Sequence, residues 1–251
     1  MKKIVVVLGV FSIVALSIPA LVSARYLMTT SLTDPTCDSG FGGYVNLEDF
    51  GIMAQAGIAG DTETWTAFGY NNPITFFGKT YSEGISFTAD GFAFLDSGTP
   101  GDVPGTPQSL PNPAAPNALL AALWHDFEVV YDQAANRGVS LATAGSDVEI
   151  IEYDDVQLAG TTDIVGDFEI IVNMADGAKD IVFAYSNLNQ ALLTALFTIG
   201  IENEAGNEAY TLINNAAASG AITDGFMVCF DDPAGPNFPW AMFLPAITGV
   251  K

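Results

Sequence analysis

Basic side chains are scarce in this sequence. Its 251 residues contain 7 Lys and Arg against 29 Asp and Glu, so the formal net charge at pH 7 is −22. A surface of this sign repels the phosphates of nucleic acids and the headgroups of anionic membranes. The composition therefore argues against both kinds of partner, and it is typical of a highly soluble protein.

Histidine and cysteine are also nearly absent. A Ser-His-Asp or Cys-His arrangement would have to use the single histidine, His125, and the nucleophile motif G-x-S-x-G does not occur. One histidine and two distant cysteines do not readily supply the ligands of a zinc site. We therefore predict no catalytic residues and no catalytic role for His125.

Long apolar runs are confined to the N-terminus. The run from Ile4 to Leu21 follows two lysines and precedes Val22-Ser23-Ala24, which fits the small-residue rule for signal-peptide cleavage. We expect residues 1–24 to be a signal peptide and the mature chain to begin at Arg25. Removal of the two lysines changes the net charge from −22 to −24. An uncleaved membrane anchor is the alternative.

The two cysteines, Cys37 and Cys229, lie near opposite ends of the mature chain. In an exported protein an even cysteine count favours a disulfide. Such a bridge would close a loop of nearly the whole domain, for which the chain-entropy model gives at most roughly 5 kcal/mol of stabilisation. Two free, buried thiols are the alternative.

The spacing of apolar residues predicts β-hairpins. In residues 84–95, Ile85 and Phe87 alternate with polar residues, and Asp90-Gly91 supplies a turn before the next apolar alternation. The same pattern predicts further hairpins, formed by residues 168–173 with 181–185 and by residues 196–201 with 209–213.

These short strands predict an all-β protein, an antiparallel, jelly-roll-like β-sandwich. We assign the sandwich to residues 42–230, an N-terminal extension to residues 25–41 and an apolar tail to residues 231–251. The inward strand positions give the predicted core: Phe76, Phe87, Phe92, Phe94, Leu120, Trp124, Ile170, Val172, Ile181, Phe183, Ile199 and Ile201.

Two other kinds of segment interrupt the strands. Asp96 to Pro116 is rich in Pro and Gly and is expected to form a long surface loop, because proline donates no ladder hydrogen bond. Asn187 to Ala195 is predicted to form one short helix, and Asn215 to Gly220 a helical turn or a loop.

Carboxylates are the remaining candidates for a site. Three pairs stand out: Asp126 with Glu128, Asp154 with Asp155, and Asp231 with Asp232. Each pair could share Ca²⁺, a hard cation that takes oxygen ligands. We expect no cofactor, with Ca²⁺ as the one candidate ion, and solvated surface charge is the alternative interpretation of these residues.

Several segments occur in the order found in one family of secreted bacterial β-domains. Residues 42–51 resemble a "GGY-x-DL-x-x-FG" opening, residues 109–127 a "SLP-x-PAAPN-x-x-LAPFW-x-DL" segment, and residues 198–206 a "T-x-GIEN-x-x-G" segment. The chain thus resembles β-sandwich domains found beside subtilisin-like proteases and in surface proteins, and more distantly the nidogen-like extracellular domain. This resemblance implies an extracellular module without established catalytic residues.

We therefore predict a non-enzymatic secreted domain that acts in binding or surface assembly. One alternative is a structural subunit of an extracellular fibre or surface layer with strand or tail exchange, and another is a carboxylate-dependent hydrolase. The apolar tail favours contact with a partner, either another copy of the chain or an unknown extracellular ligand. Its expected contact residues are Phe238, Trp240, Phe243 and Leu244.

Overall fold

The computed structural model describes residues 26–68, 73–82, 84–95, 105–145, 147–174 and 180–232. The predicted signal peptide and the four apolar tail residues from Phe238 to Leu244 lie outside the described residues. Within the described ranges, no helix has the length and apolar character needed to cross a membrane.

The structure is built almost wholly from β-strands, as the sequence predicts. The strands are β1 Leu27–Thr30, β2 Thr64–Phe68, β3 Ile74–Phe76, β4 Lys79–Tyr81, β5 Ile85–Thr88, β6 Phe92–Phe94, β7 Leu119–Trp124, β8 Phe127–Glu128, β9 Gly138–Ala144, β10 Val148–Leu158, β11 Ile164–Asn173, β12 Ile181–Ser186, β13 Phe197–Glu202, β14 Ala209–Ala216 and β15 Met227–Asp231. Two short 3-10 helices, Leu47–Phe50 and Leu192–Thr194, complete the described elements.

The strands form two antiparallel sheets and a separate hairpin. The first sheet has seven strands in the order β1-β15-β12-β11-β10, and β8 and β9 both pair with β10 at its far edge. The second has six strands in the order β14-β13-β7-β6-β5-β2, and β3 pairs with β4 alone. The predicted hairpins are confirmed as β5–β6, β11–β12 and β13–β14.

The main core lies between the two sheets. Strands of both sheets contribute large buried side chains to it, including Phe87, Tyr153, Tyr185 and Ile199. Two tyrosines also tie the sheets together: the Tyr153 hydroxyl donates to the Thr88 carbonyl at 2.8 Å, and the Tyr185 hydroxyl donates to the Ala122 carbonyl at 2.6 Å. Hydrogen bonding allows both phenols to be fully buried.

Each sheet is also covered on its outer face. Residues 37–53, which we call the N-terminal cover, pack Cys37, Val45 and Leu47 against Ile150 and Ile171 of the first sheet. The loop before β7 packs Leu110 against the outer face of the second sheet. Strands such as β7 and β13 are therefore buried along their whole length, where a strand with one solvated face would alternate.

The double covering corrects part of the predicted core. All twelve predicted residues are buried, but Phe92, Phe94 and Trp124 do not lie between the sheets. They form an outer cluster under Leu110, which the loop holds in place because Asn214 donates to the Leu110 carbonyl and accepts from its N–H. Alternation separates the two faces of a strand, but it does not say which face meets the other sheet.

The predicted N-terminal extension and the two predicted helical segments contain strand or 3-10 structure. β1, within the predicted N-terminal extension, pairs with β15 of the same chain, with Leu27 opposite Asp231 and Thr30 opposite Val228. The helix predicted for residues 187–195 is reduced to the single 3-10 turn at Leu192–Thr194, and β14 continues to Ala216.

Candidate functional site

A group of carboxylates lies on the outer face of the first sheet, beside the N-terminal cover. Ile150 and Ile171, which face the cover, are partners across β10 and β11. Because side chains alternate along a strand, the residues two positions further on point to the same side. These are Glu152 and Glu169, which are also cross-strand partners.

The cover satisfies one oxygen of each of these glutamates. The Tyr44 hydroxyl donates to Glu152 Oε1 at 2.9 Å, and the Leu47 N–H donates to the same oxygen at 3.2 Å. The Val45 N–H donates to Glu169 Oε2 at 2.9 Å. Glu152 also interacts with the hydroxyl of Ser140, its cross-strand partner on β9. Glu169 Oε1 is buried and has no hydrogen-bond partner. The two glutamates therefore anchor the cover, and Glu169 keeps one unsatisfied oxygen.

Three aspartates continue the group along the same two strands. Oxygens of Asp154, Asp155 and Asp167 all lie within 4.8 Å of one another. We call these three aspartates, with Glu152 and Glu169, the carboxylate block. Asp154 and Asp155 are half-buried, and Asp167 is 9% exposed.

A β-bulge brings Asp155 into the block. The pairing register shifts between Tyr153 and Val156, and Asp155 has a positive φ of 52°. The extra residue in β10 turns the Asp155 N–H toward β11, where it donates to Asp167 Oδ1 at 2.8 Å. Bulges of this kind redirect a side chain at the edge of a ladder, and here the result is two consecutive aspartates on one side.

The electrostatics of the block follow from burial and like charge. Burial raises the pKa of Glu152 to about 7, and burial together with Asp167 raises the pKa of Asp154 to about 8. Burial also raises the pKa of Asp167 and of Glu169. Each raised pKa means that the folded site resists negative charge on these groups unless a proton or a cation compensates it.

The nearest described cationic side chain does not compensate this charge. The Arg137 guanidinium donates to the Asp155 carbonyl at 2.8 Å and to Gln157 Oε1 at 2.6 Å. Lys79, the other described cationic residue, pairs with Glu204 at 2.5 Å. Within the described ranges, no lysine or arginine forms an ion pair with the block.

The other predicted acidic pairs are not part of such a group. Among the described residues, Asp154, Asp155 and Asp167 form the one set of three with metal-ligand spacing. Asp126 is exposed, and Glu128 accepts a hydrogen bond from Gln157 at 2.9 Å. Asp231 is the last residue of β15 and Asp232 follows it, and the Asp232 N–H donates to Asp180 at 2.7 Å.

His125 lies among aromatic rings and has backbone contacts. Its Nδ1 is 2.9 Å from the Leu196 carbonyl, and its ring centroid is 4.6 Å from that of Phe197 and 5.5 Å from that of Phe127. Burial lowers the pKa of His125. These contacts are those of a packed structural histidine.

The structure thus adds three acidic residues to the predicted site. The sequence predicts Asp154 and Asp155 as ligands, whereas Asp167, Glu152 and Glu169 emerge from the structure. A signal for them exists in the sequence, because acids recur among β-branched residues in EIIEYDD and GDFEII. An acid inside an apolar strand is unusual enough to indicate a buried partner.

Exposed apolar side chains are concentrated in one segment of the sequence. Six large hydrophobic side chains of the described residues are exposed, and five of them lie between residues 27 and 53. These five are Leu27, Leu32, Phe41, Phe50 and Met53, with Leu32 82% and Phe50 69% exposed. The sixth, Leu196, lies elsewhere in the chain.

The comparisons with known proteins give one match. A model of the family described as NIDO related, that is nidogen-related, matches residues 36–229. The matched range begins next to Cys37 and ends at Cys229, whose sulfur atoms are joined in the structure. No curated protein and no solved structure matches the chain significantly.

Proposed function

The chain belongs to the nidogen-related family, and from this premise we propose that it is a secreted domain that assembles with copies of itself on an extracellular surface. The family is generally non-enzymatic and suggests an extracellular location. The disulfide between Cys37 and Cys229 fits an oxidising compartment. The assembly role is supported by one feature, the exposed apolar side chains of residues 27–53.

This surface belongs to a firmly held segment. β1 is hydrogen-bonded to β15, Cys37 is covalently tied to the sheet, and residues 44–47 are bonded to two buried glutamates. Exposure of Leu32, Phe41 and Phe50 is therefore built into the fold. Large apolar side chains that a rigid segment holds in solvent are candidates for contact with a partner.

We assign a second copy of the chain as the occupant of this surface. Among the described strands, β1 lies at the edge of its sheet and pairs on one side only, and an edge strand is a template for pairing with another chain. The sequence after Asp232 supplies an apolar partner segment, with Phe238, Trp240, Phe243 and Leu244. Asp231, which precedes this segment in the chain, is opposite Leu27 of β1.

The acidic surface sets the conditions for assembly. A mature chain of net charge near −24 repels its copies at low ionic strength, and salt screens this repulsion over about 10 Å at 0.1 M. Apolar contacts are not weakened by the same salt. Association should therefore strengthen as the salt concentration rises.

The test is the molecular mass of the mature chain, residues 25–251, by sedimentation velocity from low to high NaCl concentration. We expect association that increases with salt, and its loss in the double variant Leu32→Ser, Phe50→Ser and in a chain lacking residues 235–251. Leu196→Ser is the matched control, because Leu196 is 53% exposed but lies outside residues 27–53.

Two outcomes would overturn the proposal. One is a monomer at every salt concentration, which would leave the apolar surface without a second copy. The other is undiminished association of the double variant, or equal loss in Leu196→Ser, which would assign the contact to general surface hydrophobicity. Circular dichroism of each variant verifies that the strands remain intact.

The hydrolase alternative receives no support from the geometry of the block. Asp154, Asp155 and Asp167 come from adjacent strands of one sheet face. A glycosidase places its two carboxyl groups on opposite sides of the bond that it cleaves.

A further inference from the structure

We propose that Asp154, Asp155 and Asp167 bind one divalent cation of the calcium type, with Glu152 as a fourth acidic residue at the site. This inference is independent of self-assembly, because the site is formed within one chain and none of its residues belongs to the exposed apolar segment of residues 27–53. It follows from the spacing of the oxygens, from an unsatisfied buried oxygen and from the lack of a neutralising cationic side chain among the described residues.

The spacing of the oxygens suits a single ion. Calcium lies 2.3–2.6 Å from its oxygen ligands, so two ligands of one ion are at most about 5 Å apart. The oxygens of Asp154, Asp155 and Asp167 lie within 4.8 Å of one another. Three carboxylates can therefore reach one ion without rearrangement of the strands that carry them.

An unsatisfied oxygen of Glu169 is a separate observation that points to a ligand. Glu169 is fully buried, and its Oε1 atom has no hydrogen-bond partner. It lies on the same sheet face as Asp167, two residues along β11, and its cross-strand partner Glu152 interacts electrostatically with both Asp154 and Asp167. A buried carboxylate oxygen without a donor is destabilising, and a cation within the block would compensate it.

The described hydrogen-bond donors at the block are neutral. Asp167 Oδ1 accepts the Asp155 N–H, Asp154 Oδ2 is 3.5 Å from the Asn136 amide nitrogen, and Asp167 also interacts with the Asn187 side chain. The Arg137 guanidinium is directed at the Asp155 carbonyl and Gln157. Since no described cationic side chain neutralises the block, its charge requires protons or a metal ion.

The ligand set and its exposure favour calcium over other divalent ions. The donors are all oxygens, whereas zinc and copper sites favour nitrogen and sulfur. Asp154 and Asp155 are half-buried, so water can complete the irregular shell of six to eight ligands that calcium accepts. Magnesium requires a near-ideal octahedron, which a bulge and a cross-strand aspartate do not provide.

Bound calcium would reinforce two parts of the fold at once. It would fasten the β10 bulge to β11 through Asp155 and Asp167. It would also fix Glu152, whose other oxygen holds Tyr44 and Leu47 of the N-terminal cover. A ligand that binds only the folded chain raises the unfolding temperature to a degree set by its concentration and affinity.

The experiment measures calcium binding by titration calorimetry on the EDTA-treated mature chain, in buffered NaCl at neutral pH, with thermal unfolding at each calcium concentration. We expect one calcium ion per chain, an unfolding temperature that rises with calcium, and a much weaker response to magnesium. Asp154→Asn and Asp167→Asn should each weaken calcium binding about tenfold or more. The matched control is Asp163→Asn, an exposed acid near the start of β11 and outside the block.

The asparagine variants remain informative because they relieve like-charge repulsion and so should fold. We expect them to be at least as stable as the wild type in EDTA, but without the calcium-dependent rise. No calcium binding by the wild type at millimolar calcium would overturn the proposal and leave protons as the neutralising species. Equal weakening in Asp163→Asn would also overturn it, since the ion would then belong to the general acidic surface.

Discussion

The carbonyl oxygen of Leu123 lies 2.5 Å from the position that a Cβ atom on Gly91 would occupy. The same two residues are hydrogen-bonded, because the Leu123 N–H donates to the Gly91 carbonyl at 3.1 Å. Gly91 has a φ of +76° and follows Asp90 in the turn between β5 and β6. The turn is thus pressed against the end of β7, and only glycine fits its second position.

We expect Gly91→Ala to lower the free energy of unfolding by about 2–4 kcal/mol, because the added methyl group meets backbone that cannot move freely. Gly220→Ala is the control, since Gly220 has a φ of +74° and a methyl group added there would meet no other part of the chain within 4 Å. It should lose only about 1 kcal/mol, the penalty for a left-handed backbone. Urea unfolding measures both, and equal losses would show that the close approach to Leu123 is unimportant.

Replacement of Glu149 should stabilise the protein, whereas Gly91→Ala should destabilise it. It is 1% exposed, and neither of its carboxylate oxygens has a hydrogen-bond partner. Burial raises its pKa to about 7. We expect Glu149→Met to stabilise the protein by about 1–3 kcal/mol at pH 8, where it removes a buried charge.

The gain from Glu149→Met should be smaller at pH 5, because the wild-type carboxyl group is then protonated in the folded state. Glu48→Met, at an exposed position, serves as the control and should change stability little at either pH. Urea unfolding at both pH values provides the measurement. A destabilised Glu149→Met variant at pH 8 would mean that the carboxylate has a favourable role that its contacts do not reveal.

Asp90 should make stability depend on pH. Burial, with a smaller contribution from Asp126 and Asp61, raises its pKa to about 7 against the hydrogen bond from the Phe127 N–H. The folded chain therefore keeps a proton on Asp90 that the unfolded chain releases near pH 4. Between these values the folded state binds more protons, so its stability must fall as pH rises.

Asp90→Asn keeps an oxygen for the Phe127 N–H but does not titrate. We expect the fall in stability between pH 5 and pH 7 to be shallower in this variant, by up to about 1.4 kcal/mol per pH unit. Some slope should remain, because burial also raises the pKa of Glu202 to about 7. Urea midpoints across this range test the point, and identical slopes in the two proteins would refute the role of Asp90.

The disulfide should contribute strongly to stability. Cys37 and Cys229 are 192 residues apart, so their bond constrains nearly the whole unfolded domain. The double variant Cys37→Ala, Cys229→Ala is expected to lose up to about 5 kcal/mol of unfolding free energy. The companion measurement is thiol titration of the unfolded, unreduced mature chain, which should detect no free thiol; two reactive thiols would contradict the bond.

The sequence predicts well what local chemistry determines. Asp90-Gly91 flanked by alternating phenylalanines specifies a tight hairpin, and β5 and β6 form it. It cannot assign Phe92, Phe94 and Trp124 to the outer cluster, because that depends on a loop fastened through Asn214. Burial can be predicted from hydrophobicity, whereas the identity of the covering layer requires the tertiary structure.

The residues of the carboxylate block can likewise be predicted from the sequence only in part. Asp154 and Asp155 can be recognised because they are adjacent in the chain. Asp167 joins them only through antiparallel pairing and a one-residue bulge, which alternation alone does not specify. The bonds from Tyr44 and Leu47 to Glu152 span more than a hundred residues, and no spacing rule reaches that far.

The bridge between Cys37 and Cys229 has a mechanical consequence for a protein held at a surface. β1 and β15 are antiparallel, so tension applied before Leu27 and after Asp231 would unzip their ladder one pair at a time. Thr29 is opposite Cys229, so the unzipping soon reaches the covalent link. The 192-residue loop behind that link would withhold roughly 650 Å of contour length, at about 3.4 Å per residue. Under load the domain would therefore act as a tether of nearly fixed length, extensible only at its two ends.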